Sequence, residues 1–183
     1  MQIWPHEWSP READAAGRHS DYNGAMEFRL RDSVPEDFEQ LWRLDQECFP
    51  PGIAYSRREL TAYMRLPQSI TLVAEGTGQT PTIVGFLVAA PQRNGVGHII
   101  TIDVAPAARR AGVGSKLLAA AEQRLAAAGC HVGLLETAVD NQSALMFYKR
   151  HKYFLVKTIP HYYSNGVDAL VLQKNLLSTA QAS

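Results

Sequence analysis

Residues 101–118 read TIDVAPAARRAGVGSKLL, a β-branched run that passes through a bend of arginines and glycines into a helical pattern. The spacing predicts a strand ending at Val104, a loop at Pro106, and a helix carrying Val113, Leu117, Leu118, Ala121 and Leu125 on one face. Gly129 supplies its C-terminal cap. Between strand and helix stand Arg109, Arg110, Ala111, Gly112, Val113, Gly114 and Ser115. Glycine lets a backbone approach a ligand closely, and the free N–H groups and positive dipole end of a starting helix favour an anion. Arg109, Arg110 and Lys116 add positive charge, so the segment reads as a diphosphate cradle on the amides of residues 110–115. The competing reading is an ordinary loop with solvated arginines.

Working outward, residues 26–31 alternate apolar and charged like a half-buried strand. Ser33 with Glu36 has the spacing of a capping box, ahead of a helix whose apolar face is Phe38, Leu41, Trp42 and Leu44. Phe49-Pro50-Pro51-Gly52 ends it, and Ser56 with Glu59 opens a second helix running to about Leu66. Residues 70–75, 82–90 and 98–104 read as three strands of an antiparallel meander, the last reached through the Asn94-Gly95 turn. Beyond the cradle helix come a strand at 132–137, a helix at 142–150, and strands near 153–159 and 167–173. The expected order is βααβββαβαββ, an α/β fold with a mixed, mostly antiparallel sheet and helices on its faces.

The 183 residues suit one domain, and a content of 46% hydrophobic and 20% charged residues excludes a disordered or fibrous chain. Residues 1–25 are polar and aperiodic and read as an N-terminal extension in which Trp4 and Trp8 stand out; Met26 is an alternative start. Residues 26–175 are expected to form the domain and 176–183 a tail. Basic and acidic residues number 18 each, which argues against a nucleic-acid binder or an anionic-membrane partner. No run reaches the roughly 18 apolar residues of a membrane span, and Met1 to Ser20 lacks a signal-peptide core. Cys48 and Cys130 are too few for a disulfide scaffold, so a reducing cytoplasm is expected. The six histidines lack metal-site spacing, and no metal is expected.

Other phosphate chemistries fail on spacing. GxxxxGK[ST] is absent, and Gly112-x-Gly114 has Leu117 where a dinucleotide fingerprint needs its third glycine. Nucleotide hydrolysis and nicotinamide hydride transfer lose support, and Ser115 sits in no GxSxG elbow. A second constellation spans residues 134–148, LLETAVDNQSALMFY. Glu136 falls on a strand, Asn141 in a loop, and Ala144 and Tyr148 on one helix face. A carboxylate can take a proton, an amide can grip a carbonyl, and a phenol can donate to a leaving group. Each has a plainer alternative: an exposed strand position for Glu136, a helix cap for Asn141, a core residue for Tyr148.

Together the two segments resemble the GNAT superfamily of acetyl-CoA-dependent N-acetyltransferases. Its Arg/Gln-x-x-Gly-x-Gly/Ala pattern is matched by Arg109 to Gly114, preceded by Ile102, Asp103, Val104 and Pro106; its Asn-x-x-Ala-x-x-x-Tyr element is matched by Asn141, Ala144 and Tyr148. The resemblance covers residues 26–175 and implies that fold. It implies acetyl-CoA binding by Ile102 to Val104, Arg109 to Ser115, Asn141, Ser143 and Tyr148, with a strand-end N–H stabilising the oxyanion.

Within the superfamily the C-terminal half looks most like RimI-type protein N-terminal acetyltransferases. That likeness makes Glu136 the general base and Tyr148 the general acid. His161-Tyr162-Tyr163 is similar to their tyrosine-bearing hairpin, and Cys48-Phe49-Pro50 with Tyr55 to the other wall of a peptide groove, which gives Phe49, Pro50, Tyr55, Tyr162 and Tyr163 as acceptor contacts. Three features depart from the pattern: Lys152-Tyr153-Phe154 stands where Gly-Phe is usual, Pro51-Gly52 alters the helix connection, and the N-terminal arm has no counterpart.

An α-amine with a pKa of about 7.7–8.0 is roughly one quarter neutral at pH 7.4, whereas a lysine near 10.4 is about one part in a thousand neutral. A weak base suffices for the first, so the expected acceptor is a protein or peptide N-terminus and the expected state a monomer or homodimer. The rivals are a GNAT enzyme for a small amine and a catalytically silent CoA-binding regulator. The first draws on residues 27–49, where seven acids face three arginines.

Overall fold

The computed structural model describes residues 26–78 and 81–176. The expected extension with Trp4 and Trp8, and the expected tail beyond Leu176, lie outside the described residues. Seven strands, β1 (Phe28–Asp32), β2 (Ile70–Gly76), β3 (Thr82–Pro91), β4 (Val96–Val104), β5 (Val132–Ala138), β6 (Phe154–Ile159) and β7 (Ala169–Asn175), form one sheet in the order β1-β2-β3-β4-β5-β7-β6. Four helices accompany them: α1 (Phe38–Cys48), α2 (Arg57–Met64), α3 (Val113–Ala127) and α4 (Gln142–Arg150). The expected order of elements is the observed one. Every neighbouring pair of strands is antiparallel except β4 and β5.

Both faces of the sheet are covered. On one face α3 lays Val113, Leu117, Leu118, Ala121 and Leu125 over Leu72, Leu87, Ile99 and Leu135, with Leu145 and Tyr148 of α4 in the same cluster. On the other, Leu41 and Leu44 of α1 and Leu60 of α2 pack on Val73, Phe86 and Val88. Alternation along the strands makes this two-sided burial possible, since successive side chains point to opposite faces. A β-bulge where β3 meets β4 interrupts it: Val88 pairs with Thr101 and Ala89 with Ile99, leaving Ile100 as the extra residue. Ile99 therefore joins the α3 cluster while Ile100 packs with the α1 cluster.

The helix ends follow local chemistry with one correction. Ser56 and Glu59 form the expected capping box, and Gly129 ends α3 at φ 86°, its neighbour Cys130 N–H donating to the Leu125 carbonyl at 2.9 Å. The Ser33–Glu36 box does not form. Ser33 N–H donates instead to Thr71 O, extending the β1 edge, and a 3-10 turn over Pro35–Asp37 precedes α1, with Asp37 Oδ2 accepting from Val34 N–H at 2.9 Å. Asp37 is also drawn to Arg31, whose guanidinium meets both its oxygens, and that ion pair holds its carboxyl below the usual range. The turn therefore starts one residue later than the spacing suggested. Between β3 and β4, Asn94 (φ 61°) and Gly95 (φ 69°) make the expected tight turn.

α3 approaches the sheet closely at Gly85 of β3, where an added Cβ would lie 2.9 Å from the Asp103 carbonyl oxygen and 2.9 Å from Val113 Cγ1. Backbone cannot move aside as a flexible side chain can. Gly85→Ala is expected to destabilise the protein by about 1–3 kcal/mol, read as a lowered urea midpoint with unchanged slope.

Candidate active site

β4 and β5 are joined by only three residue pairs, Val96 with Val132, Gly97 with Gly133 and His98 with Leu134. Beyond them the partners diverge: β4 continues to Val104 paired with β3 alone, and β5 continues to Ala138 paired with β7 alone. The β4 edge from Ile99 to Val104 thus has no ladder on its β5 side. A sheet that opens in its middle exposes main-chain groups that a closed sheet would consume.

The arginine-glycine bend stands at the far end of that opening. Arg110 (φ 67°) and Gly112 (φ 82°) are both left-handed, and Gly112 is the residue that starts α3. Among the described residues the N–H groups of residues 110–115 donate to no carbonyl, while Lys116 N–H closes the first turn onto Gly112 O at 3.1 Å. Space beside Gly112 is open, with nothing within 4 Å of an added Cβ. Gly114 serves packing instead, since a Cβ there would meet the Phe147 ring at 3.3 Å. The bend therefore offers a row of free donors at a helix start, the arrangement that suits a diphosphate.

The charged side chains differ from the sequence reading. Arg109 Nε donates to Val104 O at 3.2 Å and so folds back on the strand end, and Lys116 Nζ lies 4.7 Å above the Phe28 ring on β1. Neither joins Arg110 in one cluster. The Ser115 hydroxyl is taken up by His151 Nε2 at 2.9 Å, linking α3 to the end of α4. Asn141 is the cap of α4, its Oδ1 accepting from Ala144 N–H at 3.1 Å and from Ser143 Oγ at 3.0 Å.

Across the opening, Glu136 of β5 meets His98 of β4, Oε2 to Nε2 at 2.6 Å. Gln92 Nε2 donates to His98 Nδ1 at 3.1 Å, which leaves the ring proton on Nε2 and makes His98 the donor to Glu136. Four tyrosines gather about this pair. Tyr55 and Tyr63 meet edge-on at 5.1 Å on the helical side, and Tyr162 and Tyr163 at 5.0 Å on the β6–β7 loop. Burial raises the pKa of all four phenols, and the charge of Glu136 adds to the rise for Tyr63, Tyr162 and Tyr163. The two walls touch where Ser164 Oγ donates to Gly52 O at 3.0 Å. Phe49 follows α1 as its C-terminal cap, and Pro50 begins the turn that carries Gly52, its carbonyl accepting from Ile53 and Ala54.

Tyr148 lies between the two halves, edge-on to Phe147 at 5.2 Å and to Tyr153 at 5.6 Å. Its pKa is raised, by burial first and by Asp103 next. Among the described residues its hydroxyl has no hydrogen-bond partner. Asp103 does not present its side chain to the bend: it is 1% exposed and accepts from Thr101 Oγ1 at 2.8 Å beneath α1. The site thus brings together Glu136 with Tyr55, Tyr162 and Tyr163, while Arg109 and Lys116 each contact a group outside the cradle. Sequence reasoning missed His98, Gln92 and Tyr63. A lone histidine in a strand gives no signal until the parallel register sets it opposite Leu134, two residues from Glu136.

A parted sheet with free amides on one side and a carboxylate among tyrosines on the other defines a group-transfer site for an anionic carrier and a second substrate. The model of the acetyltransferase (GNAT) family matches residues 38–153. The chain belongs to that family and is an N-acetyltransferase. It is 25% identical over 158 residues to an N-alpha-acetyltransferase of Sulfurisphaera tokodaii, covering 80% of this chain and 92% of the relative. Among solved structures it is similar to Ard1 from Thermoplasma volcanium, with a TM-score of 0.74 and 26% identity over 82% of this chain and 98% of that one. The NatC complex bound to Gag peptide and CoA contains a chain with a TM-score of 0.71 and 25% identity, covering 82% and 99%. The family model defines the superfamily and not the RimI-type subgroup expected within it.

Gly112 is constrained by its dihedral and not by space. Gly112→Ala is expected to cost about 1–2 kcal/mol in thermal unfolding, and Gly112→Asn less, because asparagine tolerates the left-handed region.

Proposed function

We propose that the protein transfers the acetyl group of acetyl-CoA to the α-amine of a protein or peptide N-terminus. The observation that carries this reading is the Glu136–His98 pair, set among four tyrosines on the opposite side of the parted strands from the free amides of residues 110–115. The names of the relatives, N-alpha-acetyltransferase above all, support the same acceptor. The residues present fit the carrier: the amides of 110–115 with Gly112 would hold its diphosphate, and the unpaired β4 edge at Ile102 to Val104 faces the opening where the thioester would lie. When bound, acetyl-CoA supplies an activated acyl carbon and a thiolate leaving group.

The chain's own residues then move protons. Glu136, held by His98, keeps its second oxygen available to accept a proton from the incoming ammonium, directly or through water. An α-ammonium needs little help, since its pKa is about 7.7–8.0 against about 10.4 for lysine. Tyr148 keeps its proton throughout the neutral range because burial disfavours the phenolate, so its O–H is present to hydrogen-bond the charge developing on the departing sulfur, and the proton that the amine releases restores the phenol when Tyr148 gives up its own. Tyr55, Tyr63, Tyr162 and Tyr163 line the approach, offering apolar faces to a peptide, and the hydroxyls of Tyr63, Tyr162 and Tyr163 stand ready for its backbone. Asn141 and Ser143 act through the start of α4, fixing the helix that aims Tyr148.

The small-amine alternative draws less support from the fold. Of the seven acids in residues 27–49, Asp32, Asp37 and Glu39 are paired with arginines and Asp45 is buried beneath the acceptor wall, so four of the seven are not free to line a pocket for a polycation. We also place the enzyme in the reducing cytoplasm, in keeping with free thiols at Cys48 and Cys130. No helix among the described residues is long and apolar enough to cross a membrane.

Incubation with acetyl-CoA and a peptide library, followed by mass spectrometry, is expected to place acetyl on α-nitrogens and spare internal lysines; products on small amines alone would reject the acceptor. Glu136→Gln and Tyr148→Phe are each expected to lower kcat by about 10²-fold or more with acetyl-CoA affinity kept. Unchanged turnover removes the residue from its role. Gly112→Asp is expected to abolish CoA binding in calorimetry, because it puts a negative charge where the diphosphate sits; retained tight binding would displace the cradle.

A further inference from the structure

Beneath the acceptor wall, two carboxylates lie in the interface between α1 and β4. Asp45 is 0% and Asp103 1% exposed, and one oxygen of each, Asp45 Oδ1 and Asp103 Oδ1, is buried with no hydrogen-bond partner among the described residues. The two belong to one interface: Cys48, three residues beyond Asp45 on the same face of α1, reaches the carbonyl of Val104, the neighbour of Asp103, at 3.5 Å. An ionised oxygen enclosed without a donor is costly.

Asp45 is also the hub of the wall. Its Oδ2 accepts from Tyr55 N–H at 2.8 Å and from Gln46 Nε2 at 3.0 Å. The Tyr55 carbonyl in turn accepts from Trp42 Nε1 at 3.2 Å and Gln46 Nε2 at 2.8 Å, and the Tyr55 hydroxyl donates to the carbonyl of Ile100, the bulge residue of β4, at 3.3 Å.

We propose that Asp45 is a positioning residue for the acceptor: it holds Tyr55 by the main chain, and the Tyr55 hydroxyl on the Ile100 carbonyl ties the α1–α2 wall to the strand beside the transfer site. This rests on the reading of the tyrosine groove as the acceptor site. Asp45 faces Gln46 on its own helix, Tyr55 in the loop, Glu59 of α2 and Asp103 of β4; Asp103 faces Thr101, Cys48 and Asp45 of α1, Arg109 and Tyr148. Burial is the main cause that pushes Asp45 up to about 6 and drives Asp103 well above the carboxylate range, the charge of Asp45 adding to the latter. The sign for stability follows. The folded pKa of Asp45 exceeds its unfolded value of 3.8, so the folded state binds the extra proton and stability falls as pH rises from about 4 to about 6.

Two measurements on the full chain test the tie. The indole N–H resonance of Trp42, assigned with Trp42→Phe, is expected to shift in Asp45→Ala and stay near its wild-type position in Asp45→Asn, which keeps an acceptor for Tyr55 N–H; an unmoved resonance in Asp45→Ala overturns the tie. In steady-state assays with a peptide acceptor, Asp45→Ala is expected to raise acceptor KM at least about fivefold with kcat and acetyl-CoA KM little changed, and Asp45→Asn to restore it. Equal losses in all three constants would mark Asp45 as structural only. The indole readout needs no activity, so a failed acceptor assignment and a failed tie are distinguishable. Should Asp45→Ala not fold, Asp45→Ser, whose hydroxyl is too short to reach Tyr55 N–H, carries the same resonance test.

Discussion

The parting of β4 from β5 is the constraint on which the rest depends. A parallel pair held by three residue pairs and then released leaves one strand to β3 and the other to β7, and no side chain could fill the gap without closing the site. The opening sets free the β4 main-chain edge, lets Tyr148 enter from α4, and puts His98 just at the last joined position, within reach of Glu136. The bulge at Ile100 works in the same direction. It switches faces in the middle of β4, so that Thr101 and Asp103 turn toward α1 while Ile99 stays under α3.

Two kinds of electrostatics meet there. On the bend, donors are main-chain amides and the field is that of a helix start, which acts at short range and is insensitive to the exact pose of long side chains. Arg109 and Lys116 illustrate the difference, since both find partners nearer than any ligand: a strand-end carbonyl for one, an aromatic face for the other. In the groove, burial dominates. It keeps phenols neutral, leaves Glu136 one strong donor in His98, and forces Asp45 and Asp103 into a state that neither would adopt in water.

Much of this was legible because it is local. Period-two and period-3.6 patterns placed all seven strands and four helices, Gly129 announced the end of α3, and Asn94-Gly95 announced its turn, each from chemistry within a few residues. The capping box at Ser33 failed for an equally physical reason: Arg31 and Val34 N–H recruit Asp37, and a competing ion pair outweighs a spacing rule. Asn141 and Ser143 were expected at the carrier, and their side chains serve the cap of α4.

By itself the chain's order of residues determined the kind of fold, the free-amide bend at residues 110–115 and the presence of Glu136 and Tyr148 on a strand and the helix after it, since these follow from dihedral preference and periodicity along a few turns of backbone. Only the tertiary structure decided that His98 meets Glu136, that Tyr63 joins the groove, and that Asp45 and Asp103 share an interface. His98 and Glu136 are 38 positions apart and Asp45 and Asp103 are 58 apart, and the geometry of these contacts comes from strand register and helix packing, which no local pattern encodes.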